Sequence, residues 1–341
     1  MADHITHADY EQYASAWVTV SRALDGAREL LDHEPRRALS LLHPAVDLAE
    51  RDLAPVDRLF SEVRGAYVLA LFELKKYRQF RELAGSAVRR LSRTHGPDSP
   101  EVRELRARQR QLPHVLTPRG ERSLVTARRR AEDTERHRGP HDKATTRAWL
   151  KVAAAYRKAD RYDEMLRLYE EKIEAARRRL GSDHPEVVVL ADAAAEDAWE
   201  LGLVQPAVQF HALYYAAMTS RADSEGALLG AFGAASLRHH MAAFHLAAFE
   251  PYEAEPVLRE GLHILDTDAT GIRTIERAKA GLRPQLEHGL GVALWQRAGG
   301  TGASRHFYRA FEGARVIGSE GDLRTYFACA VFAGEQWREH L

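Results

Sequence analysis

Leu180-Gly181-Ser182-Asp183-His184-Pro185-Glu186-Val187 is the stretch whose reading decides the fold. It follows a charged run, Arg177-Arg178-Arg179, and its glycine stands where a helix ends on a residue in the left-handed conformation. Pro185 stands where the first turn of the next helix tolerates a missing N–H. The phrase occurs earlier as His95-Gly96-Pro97-Asp98-Ser99-Pro100-Glu101-Val102 and, shortened, as Arg138-Gly139-Pro140-His141-Asp142. Gly96, Gly139 and Gly181 lie 43 and 42 residues apart, so a helix-stop, helix-start signal returns at near-constant spacing.

Halfway through each period comes a weaker break: Leu74-Lys75-Lys76-Tyr77, Ala159-Asp160-Arg161-Tyr162 and Gly202-Leu203-Val204-Gln205-Pro206. Each unit is therefore expected to be two helices joined by a tight turn. In the best one, Trp149, Val152, Ala153 and Tyr156 face Tyr162, Met165, Tyr169 and Ile173, small Ala153 allowing close approach. Runs rich in Val, Ile and Thr are nearly absent, and Val187-Val188-Val189 lies inside a helical pattern.

The segment Tyr162-Asp163-Glu164-Met165-Leu166-Arg167-Leu168-Tyr169, closed by Leu180-Gly181-Ser182-Asp183-His184-Pro185, resembles tetratricopeptide repeats of the long, kinesin-light-chain type, of about 42 residues. The resemblance is good between about residues 55 and 265. It departs at Met165, where a small residue is usual, and in the third unit, where Pro113 and Pro118 make the repeat irregular over 98–137. It implies an all-α, right-handed α-solenoid with a concave groove lined by the first helix of each pair, and no catalytic activity. Extending the period gives about seven helix pairs, the sixth opening with a helix from about Glu225 to Phe249 and the seventh running from Ile272 to Gln296 and Ser304 to Ile317. A capping helix, Asp322 to His340, follows. The whole of 1–341 reads as one solenoid, with segmentation expected near 266–271 and bending at the broken third unit.

Composition bounds the rest. Lys plus Arg and Asp plus Glu number 49 each, so there is no global field to draw in nucleic acid or membrane. The single cysteine, Cys329, rules out an internal disulfide and fits a reducing, cytoplasmic setting. Met1-Ala2-Asp3-His4 has no leader-like pattern, and no window approaches a membrane span. The excess of Arg over Lys reads as coding bias in a GC-rich genome.

Sites for chemistry are few. His239, His240 and His245 are spaced by five and six, not the three or four that put two imidazoles on one helix face, and no metal is expected. His4 and His7 are correctly spaced but stand at a terminus. Gly299-Gly300-Thr301-Gly302-Ala303-Ser304 lacks the lysine and preceding strand of a phosphate loop and reads as a turn. Cys329, in Phe327-Ala328-Cys329-Ala330-Val331-Phe332, reads as a buried, inert thiol. No cofactor is implied. Between Arg89 and Arg138, fourteen Arg face seven Asp plus Glu. A solvated outer face is the ordinary reading of that excess, an acidic protein segment the more specific one.

Carried over from the resemblance, the groove positions are Leu69 and Phe72 in the second unit, Arg147, Leu150 and Arg157 in the fourth, and Asp192, Glu196 and Trp199 in the fifth. The sixth adds His239 and His240, the seventh His288 and Trp295. Aromatic anchors ringed by charge suit a binding hot spot, though Trp199 and Trp295 suit packing between repeats equally. The expected function is a scaffold or adaptor holding a protein or peptide in the groove. The alternatives are a regulatory sensor, similar in architecture to bacterial peptide-pheromone receptors, and, third, an enzyme with a site in the solenoid cavity. Imperfect caps at both ends allow an end-to-end homodimer.

Overall fold

The computed structural model describes residues 5–112, 118–225, 230–267, 273–298, 302–318 and 320–334. His4, Pro113, Gly299-Gly300-Thr301 and most of the 266–271 linker lie outside them. The described residues form fifteen α-helices and no strand. They divide into two compact units, residues 1–110 with 229–341 and residues 111–228.

The first unit holds α1 (His7–Leu30), α2 (Pro35–Asp52), α3 (Arg58–Glu73), α4 (Tyr77–His95) and α5 (Pro100–Gln111). It resumes with α11 (Gly230–Ala247), α12 (Pro251–Thr267), α13 (Arg273–Ala298), α14 (Ala303–Ile317) and α15 (Glu320–Gly334). The second holds α6 (Pro118–Arg138), α7 (Lys143–Lys158), α8 (Tyr162–Leu180), α9 (Pro185–Glu200) and α10 (Val204–Glu225). Consecutive helices pack as pairs, and first helices also touch the next first helix: α1 with α3, α7 with α9, α11 with α13. That stacking is the wall of a helical-repeat solenoid.

The helix starts follow from the recurring phrase. Asp57 caps α3 by accepting the Leu59 N–H at 2.9 Å, Asp142 caps α7 through Ala144 at 2.8 Å, and the His184 ring caps α9 through Glu186 at 3.2 Å. Pro100 and Pro185 are first residues of their helices.

The stops differ from expectation. Gly96 and Gly181 have the positive φ foreseen, 93° and 97°, but ψ of 154° and 159°. They are extended, not left-handed helical, in a region essentially closed to residues with a Cβ. The left-handed caps lie instead at the turns within pairs, at Lys75 (φ 57°), Asp160 (φ 55°), Gly202 (φ 72°) and Phe249 (φ 62°). Each is followed by an amide donating five residues back, Lys76 to Leu71, Arg161 to Tyr156, Leu203 to Ala198 and Glu250 to His245. This is the Schellman closure, which satisfies the last carbonyls of the first helix. One sequence serves four turns with three non-glycine residues, so sequence pattern alone does not mark them. The cap at Phe249 also ends α11 early, while α10 runs on to Glu225, making the sixth first helix shorter than expected.

In the first unit a single core joins Val20 and Leu24 of α1, Leu42 of α2, Val63 of α3, Leu258 of α12, Leu286 of α13, Phe307 of α14 and Cys329 of α15. Each large side chain so buried contributes about 1.5–3 kcal/mol. The last helix does cap α14, but it also packs on α1: the Tyr13 and Phe332 rings are 6.1 Å apart. The two end faces that sequence left open for a second copy therefore cover each other. Across 266–271, where segmentation was expected, α12 and α13 pack within one unit. Among the described residues no helix is long and apolar enough to cross a membrane.

Candidate functional site

In the second unit, two carboxylates tie α7 to the helices beside it. Glu186, at the start of α9, accepts from the Thr146 hydroxyl at 3.3 Å and lies 3.1 Å from the His141 ring. Asp197, three turns on, accepts from the Arg157 guanidinium at 2.9 Å and the Tyr169 hydroxyl at 2.6 Å. Burial, then Asp197, holds the Tyr169 hydroxyl well above the usual range. Arg157, expected in the groove, stays partly exposed and also joins α7 to α9 through Asp197, which takes Tyr169 of α8 as well. On the other side of α7, the Trp149 indole donates to Glu135 at 2.9 Å, with the Lys172 ammonium 3.9 Å from its ring centre.

Between those two ties stand the other positions expected here. Arg147 is exposed and Leu150 half-buried on α7. On α9, Asp192 and Trp199 are half-buried and Glu196 exposed. Positions 192, 196 and 199 recur at helical spacing on one face. Burial, then Asp192, Asp197 and Glu200, raises the Glu196 carboxyl above its usual value. Burial, then Asp192 and Glu196, does the same to the Tyr214 hydroxyl on α10. The face is therefore acidic and aromatic at once.

The positions expected in the first unit are placed differently. Leu69, with Arg28, Glu62, Leu91 and Leu105, lines a cavity of 370 Å³. There Glu62 is already engaged by Arg28 at 2.7 Å and His95 at 3.0 Å. Phe72 packs inside its own pair, 5.2 Å from Phe80, with the Arg108 guanidinium 5.3 Å over its ring. His288 lies 4.8 Å from the Tyr326 ring and 3.6 Å from the Cys329 sulfur. Trp295 lies 4.7 Å from Phe332. The inner positions of α13 thus face the chain's own last helix. His240 is exposed, its ring 5.7 Å from that of His239. Burial, then its neighbours His240 and Arg93, pushes His239 down to about 4; burial, then Arg93 and His239, pushes His288 down to about 3.

His239 and His288 share one cationic neighbour, Arg93 near the end of α4, which the sequence reading left in an undifferentiated basic run. Gln296, Thr94 and Phe249 beside it were missed too. The one signal in sequence was Ala84-Gly85-Ser86-Ala87, small residues on adjoining faces that let α4 be approached from two sides. Other arginines of 89–138 are paired where they stand: Arg108 with Glu73 at 3.2 Å, Arg128 with Glu132 at 3.1 Å, and Arg136 with Asp133. Cys329 is fully buried, its thiol held above its usual range by burial. Among the described residues no group of three or more His, Cys, Asp or Glu is placed to hold a metal ion.

No curated protein matches the chain. Residues 134–220, the end of α6 with α7 to α10, match the family model of the tetratricopeptide repeat. Helix pairs capped at Asp142 and His184, stacked first helix on first helix and matching that family, make residues 134–220 a run of tetratricopeptide repeats.

Proposed function

We propose that the protein is a peptide-binding scaffold whose gripping surface is the first-helix wall of α7 and α9. Tetratricopeptide repeats are protein-interaction scaffolds, and residues 134–220, which hold this wall, match that family. One observation carries the choice of surface: Trp199 shares a face of α9 with Asp192 and Glu196, while the ties at Glu186 and Asp197 hold that face rigid. A rigid wall loses little freedom on binding, and an aromatic beside charge is the composition of a hot spot. Burial, with the like charges of Asp192, Asp197 and Glu200 beside it, raises Glu196, and the carboxylates gathered on this face fit an extended segment with lysine or arginine side chains. Arg147 supplies the one cation among these positions and sets where an acidic side chain of the partner would fall.

Selection of displayed random peptides on the full chain tests this. The enriched sequences are expected to be basic, and Trp199→Ala or Glu196→Gln to weaken them at least tenfold with the unfolding midpoint unchanged. Enrichment of acidic peptides, or unaltered affinity in both variants, refutes the assignment.

A further inference from the structure

A second, smaller place lies in the first unit, independent of the α7–α9 wall. It is a cavity of 280 Å³ where the approach to α3, the end of α4, the α11–α12 turn and α13 meet. Its polar lining is Arg58, Arg93, Thr94 and Gln296. Val56, Val292, Phe249 and the Trp295 ring form the apolar part.

The polar groups here are incompletely satisfied. The Arg93 Nε is buried without an acceptor. Among the described residues neither Arg93 nor Arg58 has a carboxylate within ion-pair reach. Gln296 donates its amide to the Arg93 carbonyl at 2.6 Å and the Leu246 carbonyl at 2.9 Å, which leaves its Oε1 buried with no donor. A buried donor and a buried acceptor in one cavity are a rare pairing, since such groups are nearly always bonded. The electrostatic neighbours of Arg93 supply no carboxylate: they are Arg89, which repels it, Cys329, whose buried thiol is held in its protonated form, and the imidazoles of His239 on α11 and His288 on α13. The dipole of α4 favours a cation at its last turn, but offers Arg93 Nε no acceptor. Phe249, lining the same cavity, is a bulky side chain held at φ 62°.

We propose that this cavity binds a small organic carboxylate with an apolar, aromatic-sized body. The carboxylate pairs with the guanidinium of Arg93, with Arg58 at the rim, and supplies the missing acceptor. Trp295, Val56 and Val292 cover the body. The volume lies near the lower end of ligand pockets, roughly 300–1,000 Å³, too small for a nucleotide or a length of peptide.

Phenylacetate, its neutral analogue phenylacetamide and inorganic phosphate, at matched ionic strength, are the probes for thermal unfolding of the full chain. Phenylacetate is expected to raise the midpoint progressively, by about 5–10 °C near a hundred times its Kd, and the other two far less. Arg93→Met, of similar length and uncharged, is expected to unfold at the same or a higher temperature without ligand, because it removes an unpaired buried charge, and to bind phenylacetate at least tenfold more weakly. Arg58→Met, at an exposed residue, is expected to weaken binding severalfold and leave the midpoint alone. The proposal is overturned if phenylacetate moves the wild-type midpoint no more than phenylacetamide or phosphate does. It is equally overturned if Arg93→Met responds like wild type, or if that variant is less stable without ligand, which would show that Arg93 is satisfied by the protein.

Discussion

Two glycines of α13 make opposite predictions from one substitution. Gly281 and Gly291 both sit inside the helix, where replacing glycine by alanine gains about 1 kcal/mol of helix propensity. At Gly281 a Cβ would meet nothing within 4 Å, so that gain is kept. At Gly291 the same Cβ would lie 2.6 Å from Cδ1 and Cε1 of Phe307. That is about 1 Å inside ordinary carbon contact. Phe307 is fully buried and cannot swing clear, being flanked by the His288 ring at 5.6 Å. Overpacking of this kind costs about 1–3 kcal/mol, which outweighs the propensity gain. Gly281→Ala is expected to stabilise by about 1 kcal/mol and Gly291→Ala to destabilise by about 1 kcal/mol. Urea unfolding of the full chain, followed by circular dichroism, reads the difference of about 2 kcal/mol between them. Equal midpoints for the two variants would refute the close α13–α14 approach from which the argument starts.

Gly181→Ala forces a Cβ into backbone with φ 97° and ψ 159° and sets it 3.2 Å from an Asp183 carboxylate oxygen, so thermal unfolding should show a loss of about 1–3 kcal/mol. Tyr169→Phe removes the 2.6 Å hydrogen bond to Asp197 and should cost about 1.5–3 kcal/mol by urea titration. For pH, His239 and His288 have folded values near 4 and 3, below the unfolded value of about 6.5. The unfolded state therefore binds the extra protons, and stability is fully present above pH 6.5 and lost as pH falls toward 4 and 3. Each histidine should remove about 1.4 kcal/mol between pH 7.5 and 5.5, measured as the shift in urea midpoint, and His288→Asn should remove its share of the slope.

What could be read from sequence was whatever repeats locally. The Gly-Asp-Pro phrases contain both a stop and a cap, so the helix pairs around Gly96, Gly139 and Gly181 could be placed within a few residues; the expected capping helix, Asp322 to His340, begins within two residues of α15, and 335–340 lie outside the described residues. The turns at Lys75, Asp160 and Phe249 are closed by backbone hydrogen bonds that any side chain permits at some cost, so nothing in the residue types announced their left-handed geometry. Candidate site residues fared according to the same rule. Asp192, Glu196 and Trp199 share a face because helical spacing says so. Arg157 was given a groove role because periodicity fixes direction and not partners, and its partner Asp197 stands forty residues away. Arg93 was invisible because its meaning depends on Gln296 and Trp295, two hundred residues later.

The meeting of α1 with α15 also sets an order of events during synthesis. Tyr13 cannot find Phe332 until synthesis has passed α15, whereas the main packing partners of α6 to α10 are one another. The inserted middle unit can mature first, while the opening helices, already paired with one another, keep the surfaces that meet α11 and α15 uncovered. A chaperone dependence confined to the early helices, and relieved when the closing helix is supplied, follows from that topology.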